Sequence, residues 1–134
     1  MDSITQKDSF GCSIACVAFV LRVDYKKSKS LFDNHKRSKN FGFLCREIIK
    51  TLQKRGLNYG YKYIKHRIRK KIYKPGTIVF IKKSKKYPSG HYLCRTTNKK
   101  WMDPWINFPS DIKEARSGFR KRLPDRAIYV IFPK

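Results

Sequence analysis

Acidic residues are scarce in this chain. Nine Asp and Glu stand against 33 Lys and Arg in 134 residues, and none falls between Glu47 and Asp103. The resulting net charge of +24 attracts polyanions, whether nucleic acid, an anionic surface or an acidic protein. The lysines are spread along the chain rather than gathered into one tract, so a merely solvated surface accounts for them equally well. Long apolar runs are also missing. No stretch reaches the roughly 18 to 20 residues of a membrane span. Gly11 to Val23 comes nearest and imitates a signal-peptide core, but its leader carries Asp2 and Asp8 against Lys7 alone. Arg22 and Asp24 then interrupt the region where a small-residue cleavage site belongs. The run reads as a buried helix, and a cytoplasmic protein without a transmembrane segment is expected.

Cysteine is limited to Cys12, Cys16, Cys45 and Cys94. They form no CxxC pair, which argues against zinc. Cys12 and Cys16 lie one helical turn apart with nearly parallel side-chain directions, which disfavours a bridge. Free thiols in a reducing compartment are the simplest account, with no metal and no cofactor expected. There are no repeats, no low-complexity tracts and no Pro/Gly-rich linker long enough to divide the chain. With 40% hydrophobic and 14% aromatic residues, it reads as one folded domain spanning residues 1–134.

What is present falls into helices first and strands afterwards. The apolar run predicts a helix from about Cys12 to Leu21. A polar loop, Asp24 to Asn40, is expected to hold a short amphipathic turn at Ser30-Leu31-Phe32. A second helix follows, with Asn40 as cap and Leu44, Ile48, Ile49 and Leu52 on one face. Gly56 stops it. Tyr59, Tyr61 and Tyr63 then alternate as in a half-buried strand. Ile64, Ile68 and Ile72 predict a short helix ended by Pro75-Gly76. Thr77 to Ile81 reads as a central strand, Gly90 to Thr97 as the next, and Trp101-Met102-Asp103 follows a turn at Lys99-Lys100. Ala127 to Phe132 closes the chain as a strand. The order argues for an α+β fold, an antiparallel sheet packed against the Cys12 helix.

Four residues in this frame carry chemistry. Cys12 opens the first helix, where a thiol gains from the helix dipole, whereas Cys16 lies one turn deeper and suits the core. Gln6 lies just upstream, and its amide can join the Cys12 backbone N–H as donors to an oxyanion. His91 follows Gly90 at the start of an apolar strand, unlike His35 and His66 in basic, polar surroundings. A neutral imidazole there can take the Cys12 proton. Period-two geometry turns Cys94 to the opposite face. Asp103 ends the acid-free segment, where a carboxylate can fix the His91 tautomer. Each has a plainer reading: a buried thiol, a loop amide, a strand histidine, a salt bridge in a basic protein. Together they stand in the chain order of a papain-like cysteine hydrolase.

Gln6 through Phe32, beginning Gln-Lys-Asp-Ser-Phe-Gly-Cys-Ser-Ile-Ala-Cys, resembles the first motif of the bacteriocin-processing (double-glycine leader) peptidases and their stand-alone relatives. His91-Tyr92 and Asp103-Pro104 resemble the second and third motifs. The resemblance implies a papain-like cysteine peptidase fold whose N-terminal helix carries the nucleophile. It implies Cys12 as nucleophile, His91 as general base and then acid, Asp103 as orienting group and Gln6 as oxyanion donor. Ser13 stands where the family often has Gly, and Gly11 where it often has Asp. A complete leader-processing exporter is not expected, because neither a membrane segment nor a phosphate-binding glycine loop is present. Expected partners are a peptide or protein substrate, with acidic segments if the basic surface is functional. Two alternatives stay open: a thiol acyltransferase or amidase using the same triad, or an inactive relative that binds nucleic acid, with Tyr59, Tyr61, Tyr63, Trp101 and Trp105 as stacking faces.

Overall fold

The computed structural model describes residues 2–65, 70 and 72–134. These residues form three α-helices and six strands in the order α1 (Cys12–Leu21), α2 (Tyr25–Leu31), α3 (Cys45–Gln53), β1 (Tyr59–Tyr63), β2 (Ile78–Ile81), β3 (His91–Arg95), β4 (Trp101–Asp103), β5 (Gly118–Arg120) and β6 (Ala127–Pro133). The strands form one antiparallel sheet ordered β1-β6-β2-β3-β4-β5. This is the α+β architecture expected from the sequence.

Alternation along β2 divides the core in two. Ile78 and Phe80 face the helices with Ile14, Val17, Ile48, Leu52 and Ile131. Val79 and Ile81 face the other way, with Tyr87, Leu93, Trp101 and Val130. One-residue steps point to opposite faces of a sheet, so a continuous apolar run suits a strand covered on both. Helix α1 is apolar on nearly every side and correspondingly buried, with Ile14 to Ala18 at 0% exposure.

The polar stretch after α1 departs from expectation. It holds a true helix, α2, which begins where the Asp24 side chain accepts the Lys27 N–H at 2.7 Å. A 3-10 turn, His35–Lys39, follows. Asn40 ends that turn and does not cap α3. The start of α3 is held instead by Glu47, whose carboxylate accepts the Leu44 N–H at 2.8 Å. Leu44 is therefore at the cap position and exposed, while Ile48 and Leu52 form the buried face. Strand β5 is an element the sequence does not announce, since three residues are too few to display a period. The helix expected through Ile64, Ile68 and Ile72 falls largely outside the described residues. Within them Ile72 is buried.

Candidate active site

Cys12 is the first residue of α1, and Gly11 at its cap offers no side-chain bond to the first-turn N–H groups. Those donors have no intrahelical partner. The loop that delivers Cys12 is pinned from below. Gly11 N–H donates to Asp8 O at 3.0 Å and Phe10 N–H to Ser38 O at 2.8 Å. The Asp8 carboxylate accepts the Tyr25 hydroxyl at 2.7 Å and pairs with Lys29 at 3.0 Å. Burial would raise the Asp8 pKa, but the bonds from Tyr25 and Lys29 outweigh it and hold it below the ordinary carboxylate value. A Cβ at position 11 would run into the Tyr25 hydroxyl. The glycine thus makes room for the phenol that anchors its own loop.

His91 opens β3 and Asp103 ends the neighbouring antiparallel β4, and with Cys94 opposite Met102 the two are diagonal neighbours on one face of the sheet. His91 Nε2 lies 2.6 Å from Asp103 Oδ1. The imidazole and the Cys12 side chain line one cavity, Cys12 is among the neighbours that raise the imidazole pKa, and with Nε2 engaged, Nδ1 is the nitrogen left for the thiol. Burial would push His91 down, but Asp103 and Cys12 prevail and raise it to about 9. Burial would push Asp103 up, but His91, Arg120 and the Trp105 N–H bring it down to about 2. Gly90 sits before His91 with φ +75°, and an added Cβ would strike the Phe80 ring, so only glycine fits here. Gly90 N–H donates to Tyr87 O at 2.9 Å and closes the turn.

Gln6 is buried, and its backbone N–H donates to Pro104 O at 3.2 Å, tying it to the segment after Asp103. Its Nε2 lies 3.0 Å from Asp8 O and 3.2 Å from Ser9 O. The amide is thus fixed by two carbonyls of the Cys12 loop. Gln6, Cys12 and His91 line one cavity of about 760 Å³, whose walls are largely apolar, with Phe41, Phe80 and Tyr129 among them. The other thiols are poor rivals. Burial pushes Cys16, Cys45 and Cys94 up, and Cys94 lies in the helix-side core, as alternation predicts.

Two residues at the site escape sequence reasoning. Arg120 on β5 donates from Nε to Asp103 Oδ2 at 2.7 Å. Tyr87 stacks on the His91 imidazole, with centroids 5.1 Å apart and planes 4° from parallel. Among 33 Lys and Arg, nothing in its spacing marks Arg120, and Tyr87 is one aromatic beside a lysine run. A Tyr-Pro-Ser-Gly turn leading into a histidine was the only signal available. Among the described residues no three His, Cys, Asp or Glu side chains converge as a metal would require, and His66 lies outside those residues.

A helix that begins on a cysteine packs here against an antiparallel sheet that bears a paired histidine and aspartate. The chain is similar in structure to the peptidase domain of Streptococcus ComA, a bi-functional ABC transporter involved in a quorum sensing pathway. The match has a TM-score of 0.58 and 16% sequence identity, and it covers 98% of this chain and 97% of that one. No family model and no curated protein sequence matches. The likeness is one of fold.

Proposed function

We propose that the protein is a cysteine peptidase acting through a Cys12–His91–Asp103 triad. The observation that carries this reading is an imidazole that Asp103 holds at 2.6 Å and that lines one cavity with the helix-opening Cys12. In the proposed reaction the Cys12 proton passes to His91 Nδ1, and Sγ attacks the scissile carbonyl carbon. The oxyanion that forms takes the Cys12 backbone N–H from the uncapped start of α1. The C–N bond breaks as His91 returns the proton to the leaving amine, leaving a thioester on Sγ. Water then attacks, gives its proton to His91, and the acid product leaves as Cys12 regains the proton. Asp103 holds the imidazole in the tautomer that presents Nδ1 to the thiol throughout.

Gln6 serves as the second oxyanion donor in this reading. Its Nε2 must then exchange one of its two carbonyl partners for the oxyanion, which the weaker 3.2 Å contact to Ser9 O favours. Substitution Q6A is expected to lower kcat by about 10² to 10³ with little change in KM.

The test is the rate of iodoacetamide labelling against pH, with the sites mapped by mass spectrometry, followed by peptide-library cleavage. Selective labelling of Cys12 well below the pH at which model thiols react (about 8.5), lost in H91A, is expected, with cleavage abolished in C12A. Slow and unselective labelling indifferent to H91A would sink the proposal. Added primary amines separate hydrolysis from acyl transfer, since amide products in place of acids would assign the chain to the transferases.

A further inference from the structure

We infer that Arg120 is a positioning residue of this site, which keeps Asp103 ionised and aimed at His91 and sets the pH window in which the Cys12–His91 pair works. The inference rests on the cysteine-peptidase reading above. Asp103 has no exposure at all, so each of its oxygens depends on protein donors. Oδ1 accepts from His91 and from the Trp105 N–H at 3.0 Å, whereas Oδ2 accepts from Arg120 Nε at 2.7 Å. Take Arg120 away, and half of a buried carboxylate loses its charged partner.

The geometry favours arginine over any other cation. Arg120 Nη2 also donates to Ile106 O at 3.2 Å, so the guanidinium plane is held at two points. A lysine offers one ammonium and no fork. Strand pairing brings this about: Arg120 stands opposite Trp101, and Gly118 opposite Asp103. The three-residue strand β5 thus carries a fixed positive charge to the carboxylate, and guanidinium does not titrate in the working range.

Charge balance gives this contact its consequence. Thiol, neutral imidazole, carboxylate and guanidinium sum to zero, and so do thiolate, imidazolium, carboxylate and guanidinium. Proton transfer from Cys12 to His91 therefore leaves the set neutral around the buried His91 and Asp103. Without Arg120 the set carries one negative charge and holds each proton to higher pH. The groups facing His91 are Cys12 from α1, Asp103 from β4 with Arg120 behind it, and Tyr87 from the preceding turn. Burial pushes the Tyr87 phenol up, so it stays neutral, and Lys86 and Asp125 add one charge of each sign beyond that ring.

The experiment measures Cys12 alkylation and kcat/KM against pH for wild type, R120K, R120Q and R120M, with circular dichroism to establish folding. In R120M and R120Q both limbs of the profile are expected to move alkaline by about one unit. R120K is expected to keep the limbs in place while kcat falls about tenfold, because charge survives and two-point positioning does not. Should R120M not fold, R120Q carries the reading, since its amide can still reach Asp103. Unmoved limbs in the folded neutral variants, whatever their loss of rate, would make Arg120 merely structural and overturn the inference. Wild type without selective Cys12 labelling would instead remove the peptidase reading itself, and this inference with it.

Discussion

His91 and Asp103 each hold the other's charge, and the stability of the chain is expected to record it. Asp103, pulled by its hydrogen bonds to about 2 against burial, lies below the ~3.9 of an unfolded aspartate. Its contribution is complete above that unfolded value and is lost as pH falls toward 2. His91, raised to about 9 against burial, contributes fully below its unfolded ~6.5 and loses that contribution as pH rises toward 9. Both are complete from about pH 4 to 6.5, so the urea midpoint is expected to peak there and decline on either side. D103N removes the Asp103 part of the acid slope and weakens the alkaline one, leaving the acid slope that Asp8 retains. A wild-type midpoint that climbed from pH 6.5 to 9 would contradict the paired state. Cys12, His91 and Asp103 can be singled out as candidates in the sequence because each has a local mark: a helix start, a glycine before a strand, the end of an acid-free segment. Arg120 meets Asp103 across 17 positions, and contacts of that span leave no spacing to read.

Helices α1 and α2 meet through a small polar knot, and here the boundary between legible and hidden runs through one motif. The start of α1 at Cys12 follows from the apolar run, but the reason for Gly11 does not, because Tyr25 reaches it from the next helix. Helix α2 itself was masked by its polarity, since Tyr-Lys-Lys-Ser-Lys-Ser-Leu offers too few apolar residues to show a period. What holds it is the Asp24 cap and the burial of Tyr25 and Ser28, whose hydroxyl donates to Ile14 O at 2.8 Å. A double-mutant cycle tests the knot. Y25F removes the hydroxyl that Asp8 accepts and is expected to cost about 1 to 2 kcal/mol. G11A forces its methyl group against the Tyr25 hydroxyl, so its cost is expected to shrink by about 1 kcal/mol in the Y25F background. Strict additivity in chemical denaturation would show that position 11 and Tyr25 do not share the contact.

At the scale of the whole molecule, helices followed by strands were legible as an antiparallel α+β layer, but the order of strands was not. Strand β6, last in the chain, enters between β1 and β2, a pairing that depends on complementary faces rather than on neighbouring sequence. Charge has a similar history: +24 is plain from composition, but its relation to the cleft emerges only in three dimensions. The carboxylates of Asp8, Asp33, Glu47 and Asp103 are already engaged by lysines or arginines, so most of the positive charge has no acidic partner to meet. No Asp or Glu lines the cavity among the described residues, whereas Arg37 and Lys83 do. Lys83 belongs to the run Lys82-Lys83-Ser84-Lys85-Lys86, which leads directly into Tyr87 and so to His91. A peptide with acidic residues flanking an apolar segment would therefore gain in encounter rate and in contact with this rim. Such peptides are expected to show kcat/KM about tenfold or more above neutral peptides of the same apolar content at low salt, with the advantage shrinking as ionic strength rises. The competing use of the charge is nucleic acid, for which Tyr61 and Tyr63 on edge strand β1, 46% and 52% exposed, are two of the exposed stacking faces. Tyr59, Trp101 and Trp105 are buried and unavailable. Equal rates for acidic and neutral peptides at every salt concentration would refute the substrate assignment. If single-stranded oligonucleotide binding were then lost in Y61A and Y63A but intact in C12A, the positive field would belong to the edge strand and not to the cleft.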